Sequence, residues 1–365
     1  MKTYPGRLGI QQRVLPRYRA PFFDALAIRC EGGLSIFAGS PLAIEAIEAS
    51  EHLNKADLVN AKNQQIADPS SPYYLCWQKG ILDWLESWQP DSLIIEANPR
   101  YISSLQAIRW MHRQSNPVLG WGLGIPRTRN RLEEFLRLKF LSLLDGVIAY
   151  SNRGVEEYRQ AGLPNIFLAY NTASPKPRWE EPNRSLFVEG PLTVLFVGRL
   201  QERKRVDYLL EACQRLPENL QPKLVIVGDG PISDDLKAVA REKYPEALFT
   251  GALYGEDLEK YFHEADLFVL PGTGGLAVQQ AMSYGLPIIV AKGDGTQDDL
   301  VSEKNGWQVQ PGNLEALAQA LEQALSEPSK LRQKGSESYR IVTKEINLQV
   351  MVDQFIAALI RTKIS

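Results

Sequence analysis

Arg199 and Lys204 stand in the segment VGRLQERKR, just past an apolar run that ends in Gly198. Two cations at this spacing can converge on a diphosphate. A departing diphosphate gathers negative charge, and preorganised cations stabilise that charge. The same residues also suit a plain turn into a solvated basic helix start, and both readings stay open. A second loop, VIVGDGP, carries Gly228, Asp229 and Gly230. Glycines there let the chain turn tightly beside a ligand, and Pro231 can open the next helix, where its missing amide costs nothing. A strand-to-helix turn that meets no ligand uses the same residues. The third loop, PGTGGLAVQQAMSYGLP, follows the apolar run DLFVL. Gly272, Gly274 and Gly275 clear space. A helix beginning near Leu276 presents unpaired amides, through Ala277, to a phosphate. Gln280 lies within that helix, and its amide can donate or accept hydrogen bonds. No GxGxxG fingerprint accompanies these loops, which counts against a dehydrogenase.

The elements that must position these loops follow from the rhythm of the chain. Short apolar runs alternate with longer amphipathic ones, the mark of parallel sheets covered by helices on both faces. In the first half the pattern predicts strands near 7–15, 33–39, 91–96, 117–121, 145–150 and 166–170. It predicts helices over 20–30, 78–88, 101–113, 131–144 and 152–161, and leaves 40–77 irregular. Residues 171–190, with three prolines, break the rhythm. Alternation restarts at PLTVLFVG, with strands near 191–198, 223–228, 247–250, 266–270 and 287–291. Helices are expected over 203–216, 257–264, 275–284 and 313–326. The segment NLQVMVDQFIAALIRT, 346–361, has apolar residues three and four apart and reads as an amphipathic helix. The expected organisation is an N-terminal domain 1–175, a linker 176–190, a C-terminal domain 191–345 and a last helix 346–365 that either stays there or crosses back. Two doubly wound Rossmann-like α/β domains result.

Composition narrows the class. A chain of 365 residues is long for one core. Lys and Arg number 41 against 43 Asp and Glu, a formal charge of −2. Residues 1–175 hold 19 basic against 16 acidic residues, the remainder 22 against 27. So mild an asymmetry argues against a nucleic-acid binder with a broad cationic face. Cys30, Cys76 and Cys213 are far apart and form no metal-ligand cluster. Sparse, odd cysteines suit a reducing compartment. The N-terminus lacks an apolar signal region, and no uninterrupted apolar run reaches the length of a membrane span. The expectation is a cytoplasmic protein, with peripheral attachment at the inner face of a membrane left open. The stretch RTRNRLEEFLRLKFLSLL, 127–144, carries two readings: a helix lying on anionic lipid, or a core-packed helix with one wet face.

The order VGRL…K, VGDGP, FTG, a Gly-rich helix start, AMSYGLP, NGWQVQPGN and PGNLEALAQAL resembles the retaining glycosyltransferases of family 4. In the first half VLPRYRAPFFDALA, EANPRYISS, WGLGIPR, IAYSNRGVEEY and LAYNT are similar to a sugar-transferring subgroup of that family. The resemblance implies two facing domains of the B-type glycosyltransferase fold. It implies a nucleotide-sugar donor held by the C-terminal domain, with Gly198, Arg199, Lys204, Gly228, Asp229, Gly230, Gly274, Gly275, Leu276, Ala277 and Gln280 around it. UDP-sugar is favoured over GDP-sugar, and no metal or other cofactor is implied. Transfer would proceed with retention, in glycan or exopolysaccharide assembly. Three departures stand out: Gly272 and Gln280 occupy the places of a paired Glu-x7-Glu, and Leu123 that of a histidine. They motivate an alternative, a catalytically degenerate scaffold for a partner transferase; a non-hydrolysing nucleotide-sugar epimerase is a further one.

On the acceptor side, expected to take a saccharide or lipid-linked acceptor, Arg17 and Arg19 follow the first strand. Either can bind an acceptor phosphate or sit in a solvated turn. Glu96, Asn98 and Arg100 lie at another strand-to-helix passage. Glu96 can orient an acceptor hydroxyl or hold the donor sugar, and is grouped with Arg199 and Lys204 as a catalytic candidate. A structural cap would use the same residues.

Overall fold

In a computed structural model of the chain, residues 2–364 are described apart from 46, 70, 72, 127–129, 186–189, 275 and 294. The chain forms two compact units, Met1–Ala173 with Leu348–Ser365, and Ser174–Asn347.

The first unit is built on strands β1 (Leu8–Val14), β2 (Leu34–Gly39), β3 (Asp57–Ile66), β4 (Leu75–Lys79), β5 (Ser92–Glu96), β6 (Val118–Gly122), β7 (Gly146–Ala149) and β8 (Ile166–Leu168). They form one sheet in the order β4-β3-β2-β1-β5-β6-β7-β8. Every pairing is parallel except β3 with β4. Helices α1 (Ala20–Ala27), α2 (Ile81–Trp88), α3 (Ser103–Arg113), α4 (Arg131–Leu141) and α5 (Asn152–Gln160) provide crossovers and cover. Central strands such as β5 and β7 are apolar on both faces, as a sheet covered on both sides requires. β1 is an exception in composition, since Gln11 and Gln12 are both buried. Their amides are satisfied by a network: Gln11 Nε2 donates to Gln78 Oε1 at 2.8 Å, and Gln78 Nε2 donates to the Gln12 carbonyl at 3.0 Å.

The 40–77 region, the least regular of the domain by sequence, contains the ten-residue strand β3. DLVNAKNQQI is mostly polar and exposed along both faces, so no apolar alternation announces it. The strand is set by its parallel register with β2, and the Asn63 amide donates to the carbonyls of Arg13 and Ser40.

The second unit contains β9 (Thr193–Val197), β10 (Lys223–Val227), β11 (Leu248–Gly251), β12 (Leu267–Leu270), β13 (Ile288–Ala291) and β14 (Gly306–Val309). They run parallel in the order β11-β10-β9-β12-β13-β14. Its helices are α6 (Val206–Gln214), α7 (Ser233–Lys243), α8 (Gly255–Glu264), α9 (Leu276–Ser283), α10 (Thr296–Leu300), α11 (Leu314–Ser326) and α12 (Pro328–Lys344). Residues 174–185, within the stretch expected as a linker, lie on this unit. Trp179 Nε1 donates to the Ser283 carbonyl at 3.1 Å and its ring packs on Tyr284. The Arg184 guanidinium donates to the carbonyls of Phe262 and Tyr284. Burial pulls Arg184 down to about 10.

The last helix, α13 (Leu348–Ile364), belongs to the first unit. Its Phe355 is fully buried, with ring centroids 4.9 Å from Phe22 and 5.1 Å from Trp121.

In both sheets the strand order reverses at one place, between β1 and β5 and between β9 and β12. The crevice outside the carboxyl ends of such strands is where open α/β sheets bind ligands.

Candidate functional site

At the second unit's reversal, the loops after β9 and β12 are pressed together. Thr273 N–H donates to the Arg203 carbonyl at 3.1 Å, and Arg203 Nη1 donates to Thr273 Oγ1 at 3.2 Å. A Cβ on Gly272 would run into the backbone of Arg203 and Lys204. No side chain fits at 272 in this arrangement, which explains the glycine at one place of the paired carboxylates. A Cβ on Gly274 would collide with the Lys204 ammonium itself. Lys204 is therefore laid directly over the β12–α9 loop. Its ammonium makes no hydrogen bond or ion pair among the described residues. Burial first, then the neighbouring Arg203 charge, lower Lys204 to about 8. Arg199 is exposed just after β9 and likewise has no partner among the described residues. Arg205, by contrast, is committed to the fold: it pairs with Asp207 at 3.0 Å and covers the Tyr208 ring.

Gln297, from α10, closes the arrangement and was not singled out from the sequence. It is 2% exposed. Its Oε1 accepts the Gly274 N–H at 3.0 Å, while Nε2 donates to the carbonyls of Gly272 and Ala291 at 3.2 and 3.1 Å. Of the amides expected to face a phosphate, that of Gly274 donates to Gln297, and Gly275 lies outside the described residues. Leu276 and Ala277 open α9, where first-turn amides lack intrahelical acceptors. Gln280 is half-buried one turn further on. The signal for Gln297 was available in principle, since it follows Gly295 at the carboxyl end of β13 beside the reversal. A lone glutamine outside a glycine cluster carries no pattern.

Gly228 and Gly230 have a packing explanation. A Cβ on Gly228 would strike the Gly198 carbonyl, and one on Gly230 the Leu200 backbone. The β10–α7 loop thus lies over the β9 loop, held by Leu200 N–H to the Asp229 carbonyl at 2.9 Å. Asp229 is exposed, and its Oδ1 accepts the Gly230 N–H at 2.8 Å.

The first unit has a cavity of about 510 Å³ at the carboxyl ends of β5, β6 and β7, lined by Glu96, Asn98, Arg100, Trp121, Leu123, Glu133, Arg137 and Tyr150 among others. Glu96 accepts the Arg13 N–H at 3.0 Å and a hydrogen bond from Tyr101. Burial nonetheless pushes its carboxyl above the ordinary value, outweighing these bonds and the charges of Arg13 and Arg19. Arg100 and Arg137 both face Glu133, at 3.5 and 3.0 Å. Asn98 Oδ1 accepts the Arg100 N–H at 3.1 Å, a turn contact. The two arginines after β1 part company. Arg17 is exposed and paired with the equally exposed Glu48. Arg19 is buried, its guanidinium 5.1 Å from the Trp121 ring centroid, with Nη1 lacking an acceptor. Trp121 and Arg137, which line the cavity, were not singled out as site residues. Both are buried, and Trp121 Nε1 and Arg137 Nε have no acceptor. Among the described residues, no cluster of three His, Cys, Asp or Glu could hold a metal.

Two α/β units, each with one reversal point in its sheet, match the B-type glycosyltransferase fold. The protein of Anabaena called Alr3699/HepE, solved in complex with UDP, shares this fold over 99% of the present chain and 100% of its own, with a TM-score of 0.70 at 17% identity. Within it, residues 177–340 match the family described as Glycosyl transferases group 1. A GDP-mannose-dependent alpha-mannosyltransferase of Mycobacterium tuberculosis is 31% identical over 207 residues, 54% of this chain and 52% of the relative. An uncharacterized glycosyltransferase of Methanocaldococcus jannaschii is 32% identical over 158 residues, 41% of this chain and 40% of the relative. The chain thus spans about half or less of the length of these relatives.

Proposed function

We propose that the protein transfers a hexosyl group, with retention, from a nucleoside-diphosphate sugar to a saccharide or lipid-linked acceptor in glycan assembly at the cytoplasmic face of a membrane. The observation that carries this reading is the Lys204 ammonium, half-buried over the β12–α9 loop with no partner among the described residues. Such a cation is incomplete without an anion. With Arg199 following β9 in the same unit and the opening turn of α9, it matches a diphosphate. In the transfer step, the bond from the sugar's anomeric carbon to the diphosphate oxygen breaks, and a bond to the acceptor oxygen forms on the same face. The acceptor proton passes to the departing phosphate oxygen. Lys204 and Arg199 offset the charge that grows there, so these side chains supply what a divalent metal would otherwise supply. Glu96, held by the Arg13 amide at the mouth of the first unit's cavity, orients the acceptor hydroxyl.

The family resemblance favours UDP, whereas the relative from Mycobacterium tuberculosis uses GDP-mannose. Both bases enter one test: the melting temperature measured in EDTA with UDP, GDP and ADP. One nucleoside diphosphate should stabilise the fold by mass action. Absence of any shift across the panel at millimolar ligand would defeat the proposal.

A second reading has its own support. Gly272 is fixed by packing against the Arg203–Lys204 backbone, and Leu123 offers the cavity no hydrogen bond. A scaffold that binds nucleotide without turnover would show the melting shift yet release no free nucleotide with any acceptor. An epimerase would turn over nucleotide sugar without acceptor.

A further inference from the structure

α4 reverses the usual arrangement of a helix at a protein surface. Leu132, Phe135 and Leu136 are 64%, 61% and 52% exposed, while Arg137 is 8% exposed. The three apolar side chains stand one helical turn apart and share a face. On the inward side, Phe140 and Leu141 enter the core, and Glu133 and Arg137 pair at 3.0 Å against the cavity. Local packing therefore turns Arg137 inward together with Phe140 and Leu141 and leaves Leu132, Phe135 and Leu136 in water. Scattered exposed leucines are ordinary, but three large apolar residues on one face mark an interaction surface.

The charge around the face selects the partner. Among the described residues of α4 the exposed charged side chains are Arg131 and Lys139, at the two ends of the helix, and Glu134. An apolar face flanked by cations complements the anionic surface of a bilayer, where the side chains enter the acyl boundary and the cations meet headgroups. The helix spans Arg131–Leu141, and no helix among the described residues is long and apolar enough to cross a membrane. Its geometry is that of an element lying in the interface.

We propose that α4 docks the protein on an anionic lipid surface through Leu132, Phe135 and Leu136, with Arg131 and Lys139 against the headgroups. Docking so would hold the cavity lined by Glu133 and Arg137 at headgroup depth, where a lipid-linked acceptor presents its saccharide. That consequence rests on the transferase reading; the docking itself does not.

The test is co-sedimentation of the full chain with vesicles of phosphatidylglycerol and phosphatidylcholine, and with phosphatidylcholine alone. Binding to the anionic vesicles should be about tenfold or more tighter, given the contribution of each cation near the surface. The variant Leu132→Ser/Phe135→Ser/Leu136→Ser should lose that binding while keeping its melting temperature, since the replaced side chains are exposed. Nucleoside-diphosphate binding, read by calorimetry on the same variant, should be unchanged, which separates failure of docking from failure of the transferase reading. Wild-type protein that ignores anionic vesicles overturns the proposal, as does a folded triple variant that binds them undiminished. A concentration-dependent dimer, seen by ultracentrifugation and abolished in the variant without vesicle binding, also overturns it, because a second copy would then cover the face.

Discussion

The two reversal points share a topology and differ in their charge arrangement. In the second unit, Lys204 lies over a glycine-rich loop, and neither it nor the exposed Arg199 after β9 has a counter-ion among the described residues. In the first unit, Arg13 is paired with Glu45, and Arg100 and Arg137 with Glu133, while Arg19 Nη1, Arg137 Nε and Trp121 Nε1 are buried without an acceptor among the described residues. An uncompensated, partly desolvated cation is completed by an anion. Paired charges with spare buried donors suit a neutral ligand rich in hydroxyls. On the proposed reading, the same sheet architecture carries the phosphate site in one unit and the saccharide site in the other, through side chains the fold itself does not dictate.

The sharpest way to break this comparison is to remove one charge from each side. Lys204→Ala should lower the transfer rate roughly 10²–10³-fold, the scale of losing one preorganised donor to a developing oxyanion. It should also weaken nucleoside-diphosphate affinity. Glu96→Gln should lower transfer while leaving nucleoside-diphosphate affinity unchanged. Calorimetry with the diphosphate and a nucleotide-release assay read the two quantities separately. Equal diphosphate affinity in wild type and Lys204→Ala would abolish the distinction between the units.

A smaller effect probes the frame that holds the cation. Gln297→Ala leaves the Gly274 amide and the carbonyls of Gly272 and Ala291 without their partner. Buried groups left unpaired cost about 1–3 kcal/mol each where solvent cannot reach them. Denaturant unfolding should show a loss of about 2–4 kcal/mol, and diphosphate affinity should fall because Gly274 no longer fixes the surface under Lys204. A variant with wild-type stability would show that the loop keeps its shape without the glutamine.

How much of this was legible follows the apolar signal. β9, β10 and β12 read as TVLFV, KLVIV and LFVL, and their buried faces leave little choice. β3 was invisible because its pairing is made by the backbone, with polar side chains along its length. Residues 174–185 were legible as a break in the rhythm through their prolines. That Trp179 and Arg184 fasten the stretch to the second unit depends on partners some eighty to a hundred residues away. At the candidate site, glycine clusters point to loops but not to what the glycines face. Gly228 and Gly230 turn out to accommodate backbone, Gly274 the Lys204 side chain. In α4, the same apolar count fits a wet face or an apolar one outward, and only the burial of Arg137 decides.

The subtlest test of the comparison is pH. Lys204 is lowered to about 8 because burial and Arg203 disfavour its charged form. Below that value the ammonium is protonated and ready for a diphosphate. Above it, the free protein must take up a proton before the ion pair can form, and each step upward costs binding free energy. A bound diphosphate raises the lysine's proton affinity, so the complex keeps the proton when the free protein has lost it. Diphosphate affinity should therefore fall by roughly tenfold between pH 7 and pH 9. The pyrophosphate of the nucleotide is already fully ionised over most of that range and adds little of its own. Lys204→Arg, which carries a guanidinium that does not titrate there, should flatten the profile even if its affinity differs. Saccharide binding in the first unit does not involve Lys204 and should not follow this profile. A parallel decline in both would mean that the alkaline loss reflects the whole fold, and the contrast between an awaiting cation and a pocket of paired charges would fail.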